Sequence, residues 1–191
     1  MVATESEQTL ARDDPAPSFD LPATDGSTYS LDDFGEYEAL LLVFTCNHCP
    51  YAEAKFALLN DLAAEYDEVA VVGINPNDAE EYPDDSFDRM TELVRDGTIA
   101  YDAYLRDETQ EVAREYGAVC TPDPFLFRNE GSADEPRFLL SYHGRLDDAM
   151  NPDEEPTEFY VRQAIDSILA GEDVDLEFMP SRGCSIKWRE E

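Results

Sequence analysis

The sequence predicts a single α/β domain. Two continuous apolar runs, residues 39–44 and 69–74, are typical of strands that are buried on both faces of a parallel sheet. Between them, apolar residues recur at every third or fourth position after Pro50, which is the spacing of one buried helical face. Residues 39–74 therefore predict a strand–helix–strand unit, from which parallel sheets are built.

The rest of the chain predicts a hairpin before this unit and alternating elements after it. Phe19 and Leu21 alternate with polar residues before Asp25-Gly26, and Tyr29 continues the alternation after it, as in a β-hairpin. Downstream, the patterns predict helices at 86–96, 107–116 and 157–170, and strands at 99–105, 124–127 and 137–142, the last two as a hairpin.

The length of 191 residues corresponds to one domain, and no internal repeat or composition shift divides it. The polar residues 1–16 are expected to form a flexible N-terminus, and residues 17–173 the domain. Residues 174–191 have no periodicity but include Phe178, Ile186 and Trp188. They are expected to be an extension of the same domain that packs on its body.

The charge is strongly acidic, with 45 Asp and Glu against 13 Lys and Arg and a net charge of −32. Nucleic acids and anionic membranes recruit clustered positive charge, so neither is expected as a partner. Scarce lysine and abundant carboxylates resemble the proteins of salt-accumulating halophiles. The acidic clusters are expected to be solvated surface, among them Asp78, Glu80, Glu81, Asp84, Asp85 and Asp88.

No apolar run approaches the roughly 18 residues of a membrane-spanning helix, and the N-terminal residues lack the features of a secretory signal. A cytoplasmic location is therefore expected. No calcium-loop motif of the form D-x-[DN]-x-[DN]-G is present.

The chemistry is expected at Cys46-Asn47-His48-Cys49, between a buried strand and a helix. A CxxC in this context is typical of dithiol redox chemistry. The first helical turn has free N–H groups and the positive end of the helix dipole, which favour a thiolate. A thiolate is the attacking species in disulfide exchange, and His48 can stabilise it by hydrogen bonding or charge.

A structural zinc or iron–sulfur site is the alternative use of a CxxC. Its other ligands would have to be Cys120 and Cys184, with His48 or His143 as further candidates, and the two cysteines are too far apart in sequence for a zinc knuckle. We therefore predict no metal and no cofactor. A redox-sensing or metal-binding module without enzymatic activity stays open as an alternative.

Two segments resemble the thioredoxin superfamily. Residues 44–51, Phe-Thr-Cys-Asn-His-Cys-Pro-Tyr, are similar to its active site, and residues 120–127 are similar to its cis-proline segment, with Thr121–Pro122 as the cis bond. Residues 17–31 resemble the N-terminal hairpin of the alkyl hydroperoxide reductase/thiol-specific antioxidant branch. Residues 107–117 and 183–188 are similar to a peroxiredoxin-like group within that branch. This resemblance implies a thioredoxin-like fold, with a central mixed sheet flanked by helices.

The resemblance implies a thiol–disulfide oxidoreductase that acts on protein or low-molecular-weight disulfides and thiols. Cys46, expected at the exposed end of the site, would attack as the thiolate and Cys49 would resolve the mixed disulfide. His48, Thr121 and Pro122 would be supporting residues. The alternative is a thiol peroxidase that reduces hydroperoxides, with Cys49 at the peroxidatic position. Cys46 then occupies the place of the family's threonine, so one group that orients a bound peroxide is missing.

The remaining cysteines are expected near the same site. In this fold the segment of Cys120 faces the CxxC, so its thiol should lie within several ångströms of Cys46 or Cys49. Cys184 lies in the extension that packs on the body. We predict that Cys120 and Cys184 approach one another or the active site, as a second redox pair or a relay. The alternative is that Cys120 is a small buried hydrophobic residue.

Overall fold

A five-stranded mixed sheet forms the centre of the computed structural model, which describes residues 2–190. The sheet strands are β4 (Ala39–Phe44), β5 (Val69–Asn75), β6 (Ala103–Arg106), β8 (Asp123–Asn129) and β9 (Phe138–His143). Their order in the sheet is β6-β5-β4-β8-β9; β4, β5 and β6 are parallel to one another, and β8 is antiparallel to both of its neighbours, β4 and β9. This confirms the mixed α/β fold class.

The other elements lie on and around this sheet. The helices are α1 (Pro50–Glu53), α2 (Phe56–Glu65), α3 (Phe87–Arg95), α4 (Glu111–Tyr116) and α5 (Tyr160–Leu169). The remaining strands are β1 (Ala3–Glu5), β2 (Asp20–Pro22), β3 (Thr28–Ser30), β7 (Cys120–Thr121) and β10 (Arg182–Ser185), and short 3₁₀ helices span Leu31–Phe34 and Pro83–Asp85. Within residues 2–190, no helix has the length and apolar character that crossing a membrane requires.

The central strand β4 is buried along its whole length because both faces of the sheet are covered. Successive side chains of a strand point to opposite faces. Leu40 and Leu42 accordingly pack in one apolar cluster, with residues of the β2–β3 hairpin and α4. Leu41 and Val43 pack in the other cluster, with residues of α2 and α5. An unbroken apolar run is what a strand in this position requires.

Two predicted helices differ from the observed ones. The helix after Pro50 is interrupted between α1 and α2, where Lys55 makes a partly buried ion pair with Asp147 (Nζ to Oδ1, 2.7 Å). The helix predicted from residue 107 begins only at Glu111. The Asp107 carboxylate accepts a hydrogen bond from the Ala113 N–H at 2.8 Å, so this residue caps the helix from outside it.

The two ends of the chain pair with each other. In a separate three-stranded sheet, β10 lies between β1 and β7. The prediction that residues 1–16 are loose is wrong for Ala3–Glu5, which form β1, and for Ser6, which is buried. These residues carry no local strand pattern, because their partner strand is near the opposite end of the chain. The prediction that the extension packs on the body is confirmed, since Cys184 and Ile186 are buried.

Candidate active site

The CxxC segment lies at the carboxyl end of β4, where the central strand leaves the sheet. The Thr45 N–H still donates to the Ile74 carbonyl at 2.8 Å, and the chain then turns through Cys46–Cys49. Cys49 is the N-cap of α1, and its carbonyl accepts from the Glu53 N–H at 2.8 Å. The strand and helix predicted from sequence thus place both cysteines at one edge of the sheet.

The disulfide of the structure joins Cys49 to Cys184, and not to Cys46. Their Cα atoms are 6.5 Å apart, although 135 residues separate them in sequence. Cys46 is a free thiol in the same apolar cluster as both partners. In this state the CxxC therefore contributes one cysteine to the disulfide, and the second partner comes from the C-terminal extension.

The Thr121–Pro122 bond is cis, as predicted, and Thr121 contacts the motif. The Thr121 hydroxyl lies 3.3 Å from the Cys46 Sγ, and its carbonyl oxygen lies 3.8 Å from the Cys49 Sγ. In the β7–β10 ladder, Thr121 is paired directly with Cys184. Thr121 is thus the residue around which the three sulfurs are arranged.

Cys120 does not belong to this arrangement. It pairs with Ser185 in the ladder, whereas Cys184 pairs with Thr121. Because adjacent residues of a strand point to opposite faces, Cys120 and Cys184 face opposite sides of the small sheet. The Cys120 thiol is buried and lies 4.0 Å from the Ser181 hydroxyl. The predicted approach of Cys184 to the active site is confirmed by its disulfide with Cys49, whereas the Cys120–Cys184 pair, the other predicted arrangement, does not form.

Cys46 is not the exposed end of the site, because only 1% of its surface is accessible to solvent. Burial, followed by the negative charge of Asp85, raises the pKa of the Cys46 thiol to about 12. Hydrogen bonding to Thr121 and the charge of Lys187 act in the opposite direction on this pKa. The expectation of a thiolate at Cys46 near neutral pH is therefore wrong for this state of the protein.

His48 acts differently from the expectation. Its side chain is 59% exposed, and Nδ1 lies 3.7 Å from the Asp84 carboxylate. The His48 backbone N–H, rather than its imidazole, lowers the pKa of Cys46. His48 nevertheless lines the cavity at the sulfurs, together with Cys46, Cys49 and Cys184.

A buried carboxylate, Asp85, holds the loop between the two cysteines. Its Oδ1 accepts from the Asn47 N–H at 2.7 Å, and its Oδ2 accepts from the Asn77 amide at 2.8 Å. Asn75 also donates to Oδ1, at 3.3 Å. The Tyr104 hydroxyl donates to the Asn47 side chain at 2.7 Å. Asp85 thus fixes the backbone of Asn47 from one side, and Tyr104 fixes its side chain from the other.

The sequence-based interpretation of Asp85 as solvated surface is wrong, because it is only 3% exposed. The signal that was missed lies in Asn75 and Asn77, which end or follow β5. Carboxyl ends of adjacent parallel strands meet at one edge of a sheet, so these amides lie beside the CxxC that follows β4. Asp78, another member of the predicted acidic surface, is likewise buried.

A small cavity of about 140 Å³ opens onto the sulfurs. Its lining includes Cys46, Cys49 and Cys184, together with Asp85, Tyr82 and Lys187. Lys187 follows β10 in the extension, and its Nζ lies 5.8 Å from the centre of the Tyr82 ring. Within residues 2–190, no group of three or more His, Cys, Asp or Glu side chains is arranged to hold a metal ion.

Gly183 allows β10 to approach the cis-proline segment closely because it has no side chain. A Cβ at this position would overlap the Thr121 carbonyl oxygen. Gly183→Ala is expected to push β10 away and to lower the free energy of unfolding by about 1–3 kcal/mol. Ser185→Ala on the same strand is the control. Denaturant unfolding measures both, and a Gly183→Ala protein as stable as the wild type would show that the close approach is dispensable.

Solved structures of similar proteins cover nearly the whole chain. An uncharacterized conserved protein from Geobacillus kaustophilus is 37% identical, with a TM-score of 0.88 over 100% of this chain and 98% of that one. A hypothetical protein from Sinorhizobium meliloti 1021 is 35% identical, with a TM-score of 0.87 over 98% of this chain and 100% of that one.

A more distant structure has the same fold. A putative thiol:disulfide interchange protein, DsbE, from Chlorobium tepidum is 22% identical, with a TM-score of 0.59 over 84% of this chain and 99% of that one. A comparison with curated proteins finds no match. The model of the AhpC/TSA family matches residues 13–146, which include the hairpin, the CxxC and the cis-proline segment. The chain is therefore a member of the AhpC/TSA family, with a thioredoxin-like fold.

Proposed function

We propose that this protein is a thiol–disulfide oxidoreductase in which Cys49 and Cys184 form the redox-active disulfide. The observation that carries the proposal is the disulfide itself. It joins the CxxC loop to the C-terminal extension beside the cis-proline segment, in a cavity that also contains the Cys46 thiol. Disulfide exchange begins with attack of a thiolate on a disulfide sulfur, and the cavity at these sulfurs gives an attacking thiolate access to them.

The reaction is a two-step exchange. A substrate thiolate attacks one sulfur of the Cys49–Cys184 disulfide, so that a mixed disulfide forms and the other cysteine leaves as a thiolate. A second substrate thiolate attacks the substrate sulfur of the mixed disulfide and releases the oxidised substrate. Overall, the protein disulfide gains two electrons and two protons, and two substrate thiols become one disulfide. The reverse sequence reduces a substrate disulfide.

Access to the sulfurs favours low-molecular-weight substrates. Cys49 and Cys184 are only 0% and 3% exposed, and the cavity of about 140 Å³ is their opening. A water molecule takes about 30 Å³ of the liquid, so this volume matches a few waters or one small reactive group. A protein disulfide would reach the sulfurs only after β10 moves.

A thiol peroxidase is the second candidate, and the identity of the disulfide favours it. Cys49 occupies the position of the peroxidatic cysteine in the family that the sequence resembles, and it is the cysteine to which Cys184 is bonded. In this reaction the Cys49 thiolate attacks the hydroperoxide, an alcohol or water leaves, and Cys49 becomes a sulfenic acid. The Cys184 thiol then displaces water and forms the Cys49–Cys184 disulfide.

The acidic composition supports a salt-rich setting, and it offers neither nucleic acid nor an anionic membrane a basic surface to bind; the cytoplasmic location is part of the proposal. Assays therefore belong in molar potassium chloride, where the Debye length is about 3 Å.

A redox titration tests the proposal, and two activity assays separate the oxidoreductase from the peroxidase. Protein equilibrated in dithiothreitol buffers is expected to take up two electrons reversibly at the Cys49–Cys184 pair, as mapped by alkylation and mass spectrometry. Catalysed exchange between a small thiol and a small disulfide indicates the oxidoreductase. Consumption of hydrogen peroxide with a trappable Cys49 sulfenate indicates the peroxidase. A disulfide that resists reduction in the folded protein would refute both.

A further inference from the structure

We propose that Cys46 is a third redox thiol that exchanges with the Cys49–Cys184 disulfide, and that Asp85 controls the rate of this exchange. The inference rests on the proposed function. The site then has two oxidised states. In one, the Cys49–Cys184 disulfide links the CxxC to the C-terminal extension; in the other, the Cys46–Cys49 disulfide lies within the CxxC.

The arrangement around Thr121 brings the three sulfurs into one site. Cys46 contacts the Thr121 hydroxyl, Cys49 contacts its carbonyl, and Cys184 is its partner in the ladder. All three cysteines line the same cavity and belong to the same buried cluster. The CxxC spacing lets the first and second cysteine sulfurs reach bonding distance with little backbone strain.

The exchange step needs no external oxidant or reductant. The Cys46 thiolate attacks the Cys49 Sγ, so the Cys46–Cys49 bond forms and the Cys49–Cys184 bond breaks. Cys184 leaves as a thiolate and takes up the proton that Cys46 has lost. The number of disulfides is unchanged, but β10 is no longer tied covalently to the active-site loop.

Two charged side chains shift the pKa of Cys46 in opposite directions. Asp85 lies in the segment after β5 and opposes a negative charge at the sulfur, whereas Lys187 lies after β10 and favours it. Tyr104 of β6 is buried and Tyr101, just before β6, is partly buried; both stay protonated, because burial raises the pKa of each. The exposed ring of His48 faces Asp84.

Asp85 therefore acts as a positioning residue with an electrostatic effect. Its carboxylate fixes the Asn47 backbone between the two cysteines, and its charge adds to the effect of burial, which is the main cause of the raised pKa of Cys46. A protonated Cys46 does not attack, so exchange with the Cys49–Cys184 disulfide is slow. Replacing Asp85 with a neutral residue is expected to speed this exchange, because a larger fraction of Cys46 is then a thiolate.

The first experiment asks whether the second disulfide forms. Cys184→Ser protein, oxidised with a small disulfide, is expected to contain the Cys46–Cys49 bond in peptide maps. Cys46→Ser protein is expected to retain only Cys49–Cys184. If Cys184→Ser leaves Cys46 and Cys49 as free thiols or mixed disulfides while the wild type still exchanges, this inference is wrong and the proposed function stands. If the wild type does not exchange, the proposed function itself fails.

The second experiment tests Asp85 with a matched neighbour. Asp85→Asn and Asp84→Asn remove the same charge, but the Asp84 side chain is 72% exposed. Asp85→Asn is expected to increase the alkylation rate of Cys46 at neutral pH by about tenfold, equal to one pKa unit, with its pH profile shifted downward. Asp84→Asn is expected to change the rate by less than about twofold, since an exposed charge is screened.

A third variant guards against a purely structural effect. Lys187→Met removes the opposing positive charge, so Cys46 alkylation is expected to slow, in the opposite direction to Asp85→Asn. Loosening of the fold would accelerate alkylation in both variants. Circular dichroism confirms that each protein is folded. Equal rates in Asp85→Asn and the wild type, or acceleration by Lys187→Met, would overturn the role assigned to Asp85.

Discussion

Cys49→Ser is expected to reduce thiol–disulfide exchange by at least about a hundredfold, the scale of loss when an enzyme's nucleophile is removed. Cys49 is the cysteine shared by both disulfides of the proposed scheme, so neither forms without it. Cys184→Ser is expected to keep part of the activity, because Cys46 and Cys49 can still pair. A larger loss of activity in Cys49→Ser than in Cys184→Ser distinguishes this scheme from one in which a single fixed pair reacts, since both variants would then lose the same activity.

Cys120→Ser is the matched control for this experiment. Cys120 is as buried as Cys49, but it faces the other side of the small sheet, towards Ser181. Its replacement is expected to leave the exchange rate within about twofold of wild type, as expected for a group outside the reacting set. Turnover of a small chromogenic disulfide in molar salt measures all three variants. A Cys49→Ser protein with wild-type turnover would exclude Cys49 from the chemistry.

Reducing the Cys49–Cys184 disulfide is expected to lower the free energy of unfolding by about 5 kcal/mol. The bond closes a loop with a sequence separation of 135 residues. In the chain-entropy model, a cross-link over a loop of this length restricts the unfolded chain by about that amount at 25 °C. For a chain of this size the melting temperature should fall by about 10–20 °C. Scanning calorimetry with and without reductant measures the change.

Cys184→Ser provides the comparison for the stability effect. Without the long-range cross-link, its melting temperature is expected to be low and almost independent of reductant, because a Cys46–Cys49 bond closes only a very short loop. A wild-type melting temperature that does not respond to complete reduction, verified by thiol titration, would contradict the prediction. It would show that β1, β7 and β10 hold the extension without the covalent bond.

Local patterns in the chain were enough to predict most of the framework. The all-apolar run of β4 requires burial on both faces, and the alternation around Asp25-Gly26 requires a hairpin whose Gly26 has a φ of +87°. The placement of Cys46 and Cys49 between a buried strand and a helix follows from the same patterns. Resemblance to a known family then predicted the cis bond before Pro122, which is confirmed.

Other features of the site depend on residues that are distant in sequence. The partner of Cys49 is set by the register of β10 against β7, in which Cys184 is opposite Thr121. A shift of that register by one residue would turn Cys184 to the other face. No local pattern records this register, because the pairing strands are separated by α5 and the long segments on either side of it.

The composition likewise could not predict which polar side chains are buried. In a chain with a net charge of −32, Asp85 is one carboxylate among 45 acidic residues, and only its amide partners distinguish it. Those partners come from two segments, the CxxC loop after β4 and the end of β5, which meet because the carboxyl ends of β4 and β5 are adjacent. The sequence determines which residue types can perform thiol chemistry. Tertiary packing determines which thiol is bonded, which is buried and which charge acts on it, because these properties depend on distances across the fold.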